Sequence, residues 1–173
     1  MKKQAGFTLI EIIVVLIIGG IMMTVAGMAI VTGLKGYFFA RDNASITQNA
    51  QLSMTRLSRE LMELTNITDY TSSQVSYERP DNSDSSIALT IYLDSDNHTI
   101  KIARGVNPSG GDILVDRVNN FTLDFRNTSD AVWVEGFDEI QDLSYITIVL
   151  DLERTDGSII SFSTTVNPRN TGG

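Results

Sequence analysis

The feature that most constrains this chain is a run of 23 uncharged residues, positions 12–34. About 20 consecutive apolar residues are enough to cross the hydrocarbon core of a membrane as an α-helix. The short segment before the run carries Lys2 and Lys3, and positive charge favours the cytoplasmic side of a membrane. We therefore expect one membrane-spanning helix, with its N-terminus in the cytoplasm and the rest of the chain on the opposite side.

One carboxylate interrupts this apolar N-terminal region. Glu11 is the only charged residue between Phe7 and Leu34. An acidic side chain costs about 2.5–3.5 kcal/mol at the centre of a membrane helix, and less near the interface. A simple anchor gains nothing from such a residue, whereas a helix that meets a positively charged partner inside the membrane does.

The string Gly6-Phe7-Thr8-Leu9-Ile10-Glu11 follows the basic leader directly. It resembles the N-terminus of type IV prepilins and of the pseudopilins of type II secretion systems. The resemblance implies that a prepilin peptidase cuts between Gly6 and Phe7 and N-methylates Phe7. It also implies that Glu11 neutralises the terminal amine of a neighbouring pilin or pseudopilin subunit during assembly, while Lys2 and Lys3 keep the leader in the cytoplasm.

Two simpler interpretations of the N-terminus stay open at this point. Val25-Ala26-Gly27 could be the cleavage site of an ordinary secretory signal, although the apolar region is long for one and contains Glu11. An uncleaved signal anchor needs only the basic leader and the uncharged run.

Helical periodicity continues beyond the apolar run, and no proline precedes Pro80. Apolar residues then recur at spacings of three and four, which is one face of a helix: Ile46, Ala50, Met54, Leu57, Leu61 and Leu64. We predict one helix from residue 7 to about 65. The expected division of the chain is a leader at 1–6, a membrane and assembly helix at 7–34, an amphipathic half at 35–65 and an extracytoplasmic β-domain at 66–173.

After Asn66 the apolar period changes from 3.6 to 2, which is typical of strands. Strands are predicted at residues 87–93, 99–104, 113–115, 118–125, 146–152 and 158–167. Residues 107–112 read as a loop, and the segment around Trp133 as either a short edge strand or a loop insertion. The predicted fold is α+β, with an antiparallel β-sheet packed on the amphipathic half of the helix.

Two later segments extend the resemblance. Residues 51–64 and the terminal Val166-Asn167-Pro168-Arg169-Asn170 are similar to the helix end and final strand of J-type minor pseudopilins and W-type minor pilins. The chain has no cysteine, so it cannot form the C-terminal cysteine pair found in many major pilins. The same fact excludes thiol catalysis and thiolate metal sites.

No residues stand out as a catalytic or cofactor site. His98, the only histidine, falls in a polar turn without an evident nucleophile. Asp94-Ser95-Asp96-Asn97-His98 resembles half a calcium loop, and Asp81-Asn82-Ser83-Asp84 is similar, but turn-forming explains both. With a net charge of -8, the chain lacks the basic surface expected for nucleic-acid binding. We predict no enzyme, no cofactor, no metal and no small-molecule substrate.

The sequence thus predicts a minor pilin or pseudopilin, held in the inner membrane by a single span. Its expected partners are the prepilin peptidase and other filament subunits, and its expected place is at or near the filament tip. The alternative is a membrane-anchored extracytoplasmic binding module that recognises a glycan, a surface or a cargo and never joins a filament.

Overall fold

A computed structural model describes residues 6–81, 85–106 and 110–169. One α-helix, α1, comes first, and eight strands, β1 to β8, follow it. Their bounds are α1 Leu9–Met62, β1 Asn66–Thr71, β2 Gln74–Pro80, β3 Ser86–Asp94, β4 Thr99–Arg104, β5 Asp112–Val115, β6 Val118–Asn127, β7 Leu143–Glu153 and β8 Ile159–Val166. A short 3-10 helix, Ile140–Asp142, precedes β7.

The contacts of the chain divide it into two compact units, one ending at Asn43 and the other starting at Ala44. The described part of the first unit is helical from Leu9 onward. The second unit holds the C-terminal part of α1 and every strand. The prediction of one helix from residue 7 to about 65 is therefore confirmed, with ends at Leu9 and Met62.

The strands form two antiparallel sheets in which neighbours in sequence are neighbours in space. One sheet has the order β1-β2-β3-β4-β5 and the other has the order β6-β7-β8. The α+β prediction is confirmed, although the strands form two sheets and not one. The chain leaves the first sheet through a turn at Arg117, whose φ is +56°. Its next residue, Val118, donates its N–H to the carbonyl of His98.

The predicted apolar stripe of α1 lies in the core of the second unit. Leu57, Leu61 and Leu64 are completely buried, and Ile46, Ala50 and Met54 are nearly so. The inward residues of both sheets complete the same core, among them Val75, Ile91, Ile100, Phe121, Ile146, Ile148 and Leu150. Fully burying one such aliphatic side chain contributes about 1.5–3 kcal/mol, so this stripe fixes how the helix packs on the sheets. The backbone N–H of Arg169 also donates to the carbonyl of Met62, the last helical residue.

The hairpin of β1 and β2 is a finding that the sequence did not predict. It forms the edge of the larger sheet and contributes Ile67, Val75 and Tyr77 to the core. Ser76 is also buried, and its hydroxyl lies 2.8 Å from that of Thr90 on β3. Thr90 in turn donates to the carbonyl of Gly105. The second face of the sheet is therefore covered at this point by the loop after β4.

The segment around Trp133 is a loop insertion between β6 and β7 and not a named strand, which resolves the two alternatives that the sequence left open. Trp133 is 2% exposed, and its ring lies 5.7 Å from that of Tyr70. Its backbone N–H donates to the carbonyl of Phe125 on β6. The loop thus packs against the strand that it leaves. Positions 107–109 of the predicted loop after β4 lie outside the described residues.

Candidate functional site

The predicted cleavage position lies just ahead of helix α1. Gly6, Phe7 and Thr8 are not helical, and Phe7 is 82% exposed. A Cβ atom added to Gly6 would meet no other atom within 4 Å. The space around Gly6 in the described structure would therefore accommodate a larger residue. Lys2 and Lys3 lie outside the described residues.

Thr8 and Glu11 begin the helix with a reciprocal pair of hydrogen bonds. The N–H of Glu11 donates to Oγ1 of Thr8 at 3.3 Å, and the N–H of Thr8 donates to Oε2 of Glu11 at 3.5 Å. This arrangement is a capping box, which satisfies two backbone donors that a helix start otherwise leaves unpaired. A carboxylate in the first turn also interacts favourably with the helix dipole. The sequence reasoning missed Thr8, although the pattern Thr-x-x-Glu before an apolar run was a usable signal.

Glu11 forms no ion pair with any residue that the structure describes. The next basic residue along the chain is Lys35, six to seven helical turns further on. Among the described residues, the Glu11 carboxylate accepts a hydrogen bond only from the backbone N–H of Thr8, at the long distance of 3.5 Å.

The helix surface that follows Glu11 is apolar and exposed. Helix α1 contains a segment long and apolar enough to cross a membrane, and none of that segment is buried by the described residues. The hydroxyls of Thr24 and Thr32 donate to the carbonyls of Gly20 and Met28, each at 2.9 Å. Because these polar groups are satisfied within the helix, they add little to the cost of placing it in lipid.

The possible calcium loop at Asp94–His98 is occupied by an ion pair. Nζ of Lys101 lies 2.5 Å from Oδ2 of Asp94, and the side chain of Asn97 donates to the same oxygen at 2.9 Å. Lys101 and then Asn97 hold the pKa of the Asp94 carboxyl at about 2, below its ordinary value. Within residues 6–81, 85–106 and 110–169, no three acidic or histidine side chains are placed to hold a metal ion. Residues 82–84 of the similar Asp81 loop lie outside the described residues.

A polar surface pocket of about 640 Å³ in the second unit is lined in part by Glu60 and Arg79. Nη1 of Arg79 lies 3.2 Å from Glu60 and 3.3 Å from Glu63, which ties β2 to α1. The hydroxyl of Tyr77 donates to Glu60 at 3.1 Å. Burial, and then the Glu60 carboxylate, raise the pKa of Tyr77, so it stays protonated as a donor. The cluster contains no nucleophile paired with a base, and its contacts are those of an ion-pair network that holds helix to sheet.

His98 lies in the turn between β3 and β4, with a φ of +52°. Its Nδ1 is 3.2 Å from the carbonyl of Val118, and the side chain is otherwise exposed. The contact joins a turn of the first sheet to the start of the second. It is a structural contact of an exposed turn residue.

Comparison with known proteins identifies the N-terminal segment. Residues 1–27 match the family model described as the prokaryotic N-terminal methylation motif. No curated protein matches the chain. The matched segment contains the exposed Gly6-Phe7 peptide, the capping box and Glu11, and it runs into the apolar helix. The match supports the resemblance of this N-terminal segment to that of type IV prepilins and pseudopilins.

Proposed function

We propose that this protein is a minor pilin or pseudopilin that is cut between Gly6 and Phe7, methylated at Phe7 and assembled through Glu11. The observation that carries the proposal is the arrangement of the first helical turn. An exposed, non-helical Gly6-Phe7 peptide precedes a capped apolar helix, and one carboxylate follows without an ion partner among the described residues. A peptidase needs an accessible extended peptide, and a charge pair between subunits needs an available carboxylate.

The membrane is the place where this pairing would occur. Residues 7–34 would cross the inner membrane once, Lys2 and Lys3 would hold the leader in the cytoplasm, and residues 66–173 would be extracytoplasmic. Bringing an amine close to Glu11 offsets the cost of a lone carboxylate in lipid, because the pair interacts strongly where water is scarce. The partners in this step are the prepilin peptidase first and other pilin or pseudopilin subunits afterwards.

A minor position, at or near the filament tip, is supported by sequence features of the second unit. The similarity of residues 51–64 and 166–170 to J-type minor pseudopilins and W-type minor pilins points this way, as does the lack of a C-terminal cysteine pair. These features carry the finer assignment, while the N-terminal motif carries the broader one.

Mass spectrometry of the protein extracted from membranes tests the proposal. A processed protein begins at N-methylated Phe7, whereas a simple anchored module begins at Met1. The Gly6→Ala variant should accumulate uncut, and since a Cβ at Gly6 meets nothing within 4 Å, this result would not stem from misfolding. Recovery of the wild-type chain only with an intact Met1 would favour the anchored binding module.

A further inference from the structure

The loop between β6 and β7, residues 128–142, displays apolar side chains in the second unit. Phe137 is 91% exposed, the most exposed large apolar residue of the described chain, membrane helix included. Val132 and Val134, on either side of the buried Trp133, are 53% and 40% exposed. An exposed aromatic ring that lies close to another exposed apolar side chain, as Phe137 does to Val134, is suited to anchor a binding partner.

Hydrogen bonds within the loop hold Phe137 in this outward position. Nε1 of Trp133 donates to the carbonyl of Glu139 at 3.0 Å, which closes the loop at its base. The N–H of Val134 donates to Oδ2 of Asp138 at 2.9 Å, and the N–H of Phe137 donates to the carbonyl of Val134 at 3.1 Å. A side chain presented on a preformed turn loses less conformational entropy on binding than one that must first be ordered.

The charge of the loop indicates the kind of surface that it fits. Residues 128–142 contain five carboxylates and no lysine or arginine: Asp130, Glu135, Asp138, Glu139 and Asp142. Four of these side chains accept hydrogen bonds inside the protein, from Tyr145 or from the loop backbone. The Glu135 carboxylate, next to Gly136 and Phe137, accepts none from the described residues.

We propose that residues 128–142 form a docking loop for a partner protein whose binding pocket is apolar and bordered by lysine or arginine. Phe137 is the anchor that fills the pocket, and Glu135 faces the basic border. Burying an exposed aromatic ring supplies affinity, and matched charges around it supply orientation and rate. This interaction goes beyond filament assembly through Glu11 and does not depend on it.

Charge also argues against two other occupants. Five carboxylates would be repelled by the anionic headgroups of a membrane surface. A second copy of this chain is also acidic, with a net charge of -8, so charge disfavours its approach to the loop. A basic partner protein gains from the same carboxylates.

Site-specific photo-crosslinking of the full chain in its native membranes tests the proposal. Phe137 is replaced by p-benzoylphenylalanine, which keeps an apolar aromatic side chain at that position. A matched control carries the same group at Ile159 on β8, which is 53% exposed and pairs with Glu153, at the end of β7 away from the loop. We expect position 137 to form an adduct with a protein other than this chain, and the segment around the linked residue of that protein to have a net positive charge. Position 159 should not form that adduct.

The role of charge is tested in the same membranes with the second substitution Glu135→Lys. It should reduce the yield of the adduct by up to about fivefold, as expected for one exposed charge pair. Raising the salt from 0.05 to 0.5 M should reduce it as well, because the screening length becomes shorter. The proposal would be overturned by adducts with lipid alone, with a second copy alone, or with no protein at position 137. A yield that is indifferent to Glu135→Lys and to salt would also overturn it.

Discussion

Two substitutions in the first helical turn separate the capping role of Glu11 from its charge. Glu11→Gln keeps an oxygen that can accept from the N–H of Thr8, so the capping box survives while the charge is lost. Thr8→Ala removes the hydroxyl that accepts from the N–H of Glu11 but leaves the carboxylate in place. If assembly depends on charge, only the first variant should assemble poorly.

The expected sizes of the two effects differ widely. Losing the Thr8 cap costs about 1 kcal/mol, a factor of about five in the stability of the helix start. A carboxylate and an amine about 4 Å apart interact by about 4 kcal/mol at an effective dielectric constant near 20. A neutral glutamine would retain about 1 kcal/mol of hydrogen bonding. The remaining difference of about 3 kcal/mol corresponds to roughly a 100-fold weaker contact between subunits.

The assay measures the fraction of the protein that is recovered in sheared filaments. The molecular mass of the protein in the membrane fraction shows whether each variant is still cut after Gly6. Glu11→Gln should be processed but nearly absent from filaments. Thr8→Ala should be processed and should appear in filaments at close to wild-type levels. Normal assembly of Glu11→Gln would refute the charge-pairing argument. Equal loss in both variants would show that helix capping, and not charge, is what assembly needs.

Three further predictions concern the second unit, measured as urea unfolding of the full-length protein in detergent. Leu61→Ala should lower the free energy of unfolding by about 2–5 kcal/mol, because Leu61 is fully buried. Leu52→Ala, at a position that is 63% exposed, should lower it by under about 0.5 kcal/mol. Similar losses would contradict the core assignment. The folded-state pKa of Asp94 lies below its ordinary value, so its stabilising contribution is present above about pH 4 and is lost as the pH falls towards 2. The difference in the free energy of unfolding between wild type and Asp94→Asn should therefore shrink over that interval. A constant difference would refute the assignment. Gly111→Ala should destabilise the protein by about 1 kcal/mol or more beyond Gly110→Ala. Both glycines have a positive φ, but only a Cβ at position 111 would lie 2.5 Å from a backbone oxygen of β4. Equal effects would show that the turn adapts.

Regular periodicity explains which elements could be predicted from the sequence. Strand β4, Thr99–Arg104, has the bounds that its pattern predicts, because the chain alternates between the core and a more open face. The stripe of α1 from Ile46 to Leu61 could be predicted for the same reason, since these residues share one buried helical face, and Leu64, just after the helix, is buried as well.

The β1–β2 hairpin could not be predicted because two features, one local and one from a distant loop, remove the alternation. The register of β1 shifts between Ile67 and Asp69, so Tyr70 packs on Phe125 although it lies three residues after Ile67. In β2 the consecutive residues Val75, Ser76 and Tyr77 are all buried, because a loop covers the second face of the sheet. Such coverage depends on distant parts of the chain and leaves no periodic signal.

The candidate sites divide in a similar way. Gly6, Phe7 and Glu11 could be proposed from the sequence because a linear motif carries them, and the capping role of Thr8 was present in the same motif. The exposure of Phe137 could not be foreseen. It depends on side-chain and backbone bonds, such as that from Val134 to Asp138, which follow no helical or strand period.

Trp133 gives the protein a built-in optical reporter. It is the only tryptophan of the chain, so the whole indole fluorescence comes from the base of the docking loop. The ring is buried beside Tyr70, and its N–H donates to the carbonyl of Glu139, so this hydrogen bond spans the segment that contains Phe137. A partner that binds the loop, or a condition that detaches the loop from β6, would therefore change the emission wavelength or intensity of Trp133. The state of this surface can thus be followed in the unlabelled protein while it is mixed with one candidate partner after another.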